Sequence, residues 1–166
     1  MTAPVVIFAV GNPSRGDDAI GPVICGRLEK WLEIEGLADQ FELIEDFQLQ
    51  IEHALDLQNR HLALFIDAGA NTPVPFTFQR IAPAIGIAHT THELPPQAVL
   101  QVYLQTEAAA PPPAFVLCVR GEEFELGEPL SAAAESHLEA AFDLLMQLCR
   151  QAALSDWTRA ALNSAD

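Results

Sequence analysis

Positive charge is scarce in this 166-residue chain. Eight Lys and Arg stand against 23 Asp and Glu, a formal net charge of −15 at pH 7. Such a field repels a phosphate backbone, which argues against a nucleic-acid partner. It favours cations, metal ions or a basic protein surface instead. Long apolar runs are missing too. The longest, such as Val5–Val10, are strand length, far below the roughly 18 residues of a spanning helix, so no membrane association is expected. The opening MTAPVVIFAV has no basic stretch and runs directly into Gly11-Asn12, which argues against a secretory signal and makes the cytoplasm the default compartment. Only three cysteines occur, Cys25, Cys118 and Cys149, an odd count with no CxxC pair. Each lies among apolar residues and reads as a small core filler.

Several catalytic signatures are also lacking. There is no GxGxxG and no phosphate loop ending in GK[ST], which argues against nucleotide binding. There is no GxSxG nucleophile elbow and no HExxH helix. Ser14 sits in a turn where serine is expected anyway, so pairing it with His92 as nucleophile and base has little support. Cys25 falls in a helical pattern near the apolar stripe, which disfavours it as a nucleophile.

What is present is an apolar, foldable chain: 50% hydrophobic and 19% charged residues exclude disorder. Its length suits one domain, which buries about 68–70% of its unfolded surface without needing disulfides. Pro4–Val10 reads as a buried central strand, followed by the turn-forming GNPSRGDD. A helix pattern runs through Ile20, Val23, Ile24, Leu28 and Leu32, with Pro22 pinning its first turn. Phe41–Glu45 is a weaker strand, and Gln48–Leu57 is helical in pattern through Ile51, Ala54 and Leu55. His61–Ile66 is an apolar strand ending on Asp67-Ala68-Gly69, and Phe76–Ile81 an alternating, more exposed one. Ala98–Leu104 is helical, AAAPPP (108–113) is a loop, and Ala114–Val119 is the last strand. Ser131 is an N-cap for a final helix presenting Leu138, Ala141, Phe142, Leu145 and Cys149. Residues 1–153 are expected to form the domain and residues 154–166 a frayed tail.

Strands alternating with helices predict an α/β sandwich with helices on both sheet faces. Sites in such folds lie outside the carboxyl ends of the strands. The first strand leads to Asp17-Asp18, the third ends on Asp67, and the Phe76–Ile81 strand leads toward His89 and His92. If these strands run parallel, two carboxylates and an imidazole converge on one edge, the ingredients of a divalent metal site. Adjacent Asp17 and Asp18 cannot both face the crevice; one is expected to face it while the other caps the helix or meets solvent. Individually each residue has a bland reading as a cap, a turn or a solvated loop side chain.

The spacing Gly11-Asn12, four residues, Asp17-Asp18, then Gly21-Pro22-Val23 resembles the N-terminal signature of the hydrogenase maturation endopeptidases. Phe65-Ile66-Asp67-Ala68, Thr91-His92-Glu93-Leu94-Pro95 and the passage Leu126–Ser131 agree in order, so the resemblance spans about Val5 to Leu148. It implies an α/β three-layer sandwich with a mixed, mostly parallel twisted sheet of about five strands and helices on both faces, and an endopeptidase that removes the C-terminal extension of a nickel–iron hydrogenase large-subunit precursor after nickel insertion. The metal-contacting and catalytic positions it implies are Asp18, Asp67 and His92. The nickel is expected to be carried by the substrate rather than tightly bound in the free enzyme, and a monomer suffices. Asp18 stands where other members have Glu, one methylene longer, and His89 is a rival for the role of His92. The same residues also suit a metallohydrolase with its own bound metal or a non-catalytic, metal-gated chaperone of the precursor. A weaker alternative uses the GNPSRG turn as an anion cradle.

Overall fold

Val5–Val10 (β1) is apolar at every position because both of its faces are covered: all six residues are buried. The computed structural model describes residues 2–84 and 94–164. β1 is flanked by parallel β2 (Phe41–Asp46) and β3 (Leu62–Gly69), and β3 is followed by parallel β5 (Ala114–Arg120). The edge strand β4 (Phe76–Ile81) runs antiparallel to β5, giving the order β2-β1-β3-β5-β4. This is the expected mixed, mostly parallel α/β sandwich.

One face of the sheet lies under α1 (Ile20–Glu35), α3 (Ala132–Arg150) and α4 (Leu154–Ser164). Ile7, Leu64, Ile66, Phe115 and Leu117 point into that layer. The other face, with Val6, Phe8, Ala63 and Phe65, is covered by α2 (Pro96–Glu107) and a short 3₁₀ helix, Ile51–Leu57. Alternate residues of β1 and β3 therefore feed two cores, as the two-residue period of a strand requires. Phe8 and Phe65 stack with centroids 4.7 Å apart in the second core.

Local signals set several element ends as expected. Pro22 lies in the first turn of α1, and Gly36 closes that helix with φ 72°, a left-handed conformation that glycine adopts at little cost. Ser131 caps α3, its hydroxyl accepting from the Ala134 N–H. No helix among the described residues is long and apolar enough to cross a membrane.

Three expectations are corrected. The segment expected to be a frayed tail is folded over its described part: Leu154–Ser164 is a helix, and Trp157 is fully buried with its indole N–H donating to the Leu148 carbonyl at 2.9 Å. Its ring stands edge-on to Phe115 and Phe78. One large aromatic side chain is enough to dock a short polar helix. The Gln48–Leu57 segment is 3₁₀ rather than α over Ile51–Leu57, and of the expected stripe only Ala54 faces inward. His53, Ala54 and Leu57 are buried while Ile51 and Leu55 are exposed. Finally, β4 is antiparallel, so its carboxyl end faces the opposite sheet edge from those of β1 and β3.

Candidate functional site

The loop after β1 is built on close approach. Gly11 has φ 150°, and a side chain there would collide with the Asp18 carbonyl. Its N–H donates to the Asp46 carbonyl at the end of β2 (3.0 Å). Asn12 then folds the chain back, its side-chain oxygen accepting from the Ser14 N–H and its carbonyl from the Arg15 N–H. Gly21 lets α1 start against the end of β1, because a Cβ there would meet the Val10 backbone.

Asp17 and Asp18 divide their labour sharply. Asp17 is fully buried. Its carboxylate accepts the Glu122 and Glu123 N–H groups (2.7 and 3.0 Å), the Ser131 N–H (2.7 Å) and the Ser131 hydroxyl (2.7 Å). Burial alone pushes its pKa up, but the Ser131, Glu122 and Glu123 amides and the Ser131 hydroxyl outweigh it and hold the carboxyl below its ordinary value. Asp17 therefore fastens the β1–α1 loop to the β5–α3 passage rather than serving the crevice. Further backbone bonds close the same seam: Gly16 N to Glu128 O, Asp17 N to Glu123 O and Gly127 N to Ser14 O.

Asp18 is half-buried, and its Oδ2 accepts the Asn12 N–H at 2.9 Å. The 3₁₀ turn Gly16–Ala19 that carries it packs against β3. There Asp67, also half-buried, sits two residues before the strand ends, and its Oδ1 accepts the Ala68 N–H at 2.7 Å. Ala9 pairs with Ile66 in the parallel β1–β3 register. The structure thus brings two of the three candidate residues to the carboxyl ends of neighbouring strands. His92, and its rival His89, lie outside the described residues. The chain resumes at Leu94, which packs on the α2 side of the sheet, the side toward which Asp67 faces by alternation from Ala63 and Phe65.

Carboxylate oxygens are suitable donors for a divalent ion, and one imidazole would complete a mixed set. Among the described residues no three His, Cys, Asp or Glu side chains group closely enough to hold a metal, so Asp18 and Asp67 require a third donor from elsewhere. Thiols do not offer a ready nucleophile. Burial pushes Cys25 up to about 11, helped by the Glu45 and Glu29 charges, and pushes Cys149 up to about 12. Cys118, next to Asp67 in register, is raised by burial and exchanges a hydrogen bond with Thr72 at 3.0 Å. A buried, protonated thiol is a poor attacking group.

One polar pair escaped the sequence reading. His53 is buried, its Nδ1 accepting the Gln50 N–H at 2.8 Å and its Nε2 lying 3.3 Å from Asp46 Oδ2. Two signals pointed there: an acid at the carboxyl end of β2, as on β3, and Gln50-x-x-His53, which forms a reciprocal capping box.

No protein-family model and no curated protein matches the sequence. Solved structures do match. The hydrogenase maturating endopeptidase HybD from Escherichia coli superposes with a TM-score of 0.68 at 22% identity, over 89% of this chain and 93% of that one. The nickel–iron hydrogenase maturation protease HycI from Thermococcus kodakarensis gives 0.65 at 22% identity, over 90% and 93%. A further Escherichia coli endopeptidase, solved in solution, gives 0.65 at 24% identity, over 89% and 93%. At these identities the likeness establishes a shared fold across nearly the whole of each chain.

Proposed function

We propose that this chain is an endopeptidase that removes the C-terminal extension of a nickel–iron hydrogenase large-subunit precursor once nickel is in place. One observation carries the reading. Asp18 and Asp67 are half-buried carboxylates at the carboxyl ends of adjacent parallel strands, in a fold shared with solved proteins named as hydrogenase maturation endopeptidases or proteases. Asp18, Asp67 and His92 are the groups that would complete the coordination of a nickel ion brought by the substrate, so the ion is cargo rather than a resident cofactor. When bound, it would supply Lewis acidity to the hydrolysis.

The chain's own contribution is positional. The Asn12 N–H orients one Asp18 oxygen, and Asp17 holds the loop that carries it. Seating the precursor's tail against these fixed groups makes the hydrolysis effectively intramolecular. Water adds to the carbonyl carbon, the C–N bond breaks, and the water proton passes to the leaving amine. Asp18 and Asp67 are the titratable groups of the described site that can relay it.

The test is intact mass of a precursor incubated with the protein, nickel-loaded in one sample and nickel-free in the other. Loss of a C-terminal peptide from the loaded sample alone is expected. Cleavage of both samples would assign the chemistry to a metal carried by the enzyme, and cleavage of neither would reduce the chain to a binding protein. Asp18→Asn, Asp67→Asn and His92→Ala should each abolish processing while leaving the unfolding midpoint unchanged. Wild-type rates in all three would remove the metal-licensing model.

A further inference from the structure

Segment 47–57 carries two rows of side chains with opposite fates. Leu49, His53, Ala54 and Leu57 are buried against the sheet. Phe47, Ile51 and Leu55 point outward and are 62%, 61% and 63% exposed. Single exposed apolar residues are ordinary. Three large ones within nine residues of chain concentrate exposed apolar surface on this segment.

The strip is anchored at its base. Gln50 and His53 cap the 3₁₀ helix reciprocally, His53 faces Asp46, and its ring stands edge-on to Phe8 at 5.8 Å. It also adjoins the candidate site, since the Asp46 carbonyl accepts the N–H of Gly11 in the loop that carries Asp18. Its frame is acidic: Glu45, Asp46, Glu52 and Asp56 belong to the same stretch. Arg60, the nearby cation, is committed to the Asp56 and Ala3 carbonyls and to Glu42.

We propose that this strip is the docking site of the substrate protein, which meets it with a segment of apolar side chains flanked by Lys or Arg. The inference rests on the endopeptidase reading and names the surface through which that substrate is captured. Charge selects the occupant. A second copy would set acidic frame against acidic frame on chains of −15 each, and an anionic lipid surface would be repelled in the same way. A basic segment is drawn in by the frame and held by the apolar anchors.

The triple variant Phe47→Ser, Ile51→Ser, Leu55→Ser tests it, with Ile34→Ser, an 83% exposed position on α1 beneath the other face, as control. Binding of nickel-loaded precursor is measured in an Asp18→Asn background, and cleavage kinetics without that change. The triple variant should bind at least about tenfold more weakly and raise KM by a similar factor, with kcat within about twofold. Ile34→Ser should match the wild type, and added salt should weaken wild-type binding. Equal affinity of the triple variant overturns the docking site while leaving the endopeptidase reading intact, as does equal KM. Precursor that binds to neither protein overturns the occupant named here. Binding that the triple variant loses, without cleavage under any nickel loading, supports the docking site and removes the endopeptidase reading.

Discussion

The two faces of the sheet are covered in different ways. Beneath one lie three helices of 16, 19 and 11 residues, the last docked on the strands through Trp157, Phe115 and Phe78. Over the other, among the described residues, lie a helix of 12 residues and a 3₁₀ segment of seven. The buried strand residues are equally apolar on both sides, so the contrast lies in the covering layer alone. The thick side holds the frame. The thin side carries Asp67, by alternation along β3, and the exposed strip of Phe47, Ile51 and Leu55. The carboxyl-edge loop that bears Asp18 bridges the two, because Asp17 ties it to the passage into α3 on the thick side.

The largest blow to that contrast is Trp157→Ala. Truncating a fully buried tryptophan that docks α4 should cost about 3–5 kcal/mol, read from urea unfolding. A loss under about 1 kcal/mol would mean that α4 merely rests on the thick face. Next comes the tie between the layers. Asp17→Asn retains the shape but loses charge-assisted hydrogen bonds, and should cost about 1.5–3 kcal/mol at pH 7.

The sign of its pH dependence follows from the lowered pKa. The folded value lies below the unfolded one, so the stabilisation is complete above about pH 4 and is lost as pH falls through the folded value. Wild-type stability should therefore decline on acidification below about pH 4, and Asp17→Asn should flatten that decline. Identical acid limbs would show that the carboxylate is not the fastener.

Hydrogen exchange sharpens the comparison further. Amides of Ile51–Leu57 should exchange at least about tenfold faster than central amides of α1 and α3, since a short 3₁₀ segment opens locally before the global unfolding of the core. Equal protection would make the two coverings one cooperative unit. The smallest effect expected is on the outer row itself: Phe47→Ser should shift stability by no more than about 0.5 kcal/mol. A larger loss would make Phe47 a structural residue instead of a docking anchor.

Much of this was legible along the chain. Apolar runs of strand length, broken by turn residues, announced five strands, and the doubly apolar β1 announced a central one. Pro22 and Ser131 marked helix starts because a missing N–H and a capping hydroxyl act within a turn of their own position. The segment 48–57 shows where such reasoning ends. Ile51, Ala54 and Leu55 fit a helical stripe, yet Leu49, Ala54 and Leu57 are the residues that meet the sheet. Periodicity reveals that a segment has faces, but the neighbour decides which face is turned inward. Asp67 was found because it follows an apolar strand, whereas the division between Asp17 and Asp18 depends on amides about 105 and 114 residues further along.

The sequence by itself determined the α/β class, the strand set and the acids near the ends of β1 and β3, since these rest on short-range sterics and the burial of neighbouring side chains. Tertiary structure alone decided that β4 turns antiparallel, that Trp157 draws the last segment into the core, and that Asp17 becomes structural while Asp18 stays at the crevice. Each of these outcomes is a choice between locally equivalent conformations, made by a surface that another part of the chain supplies.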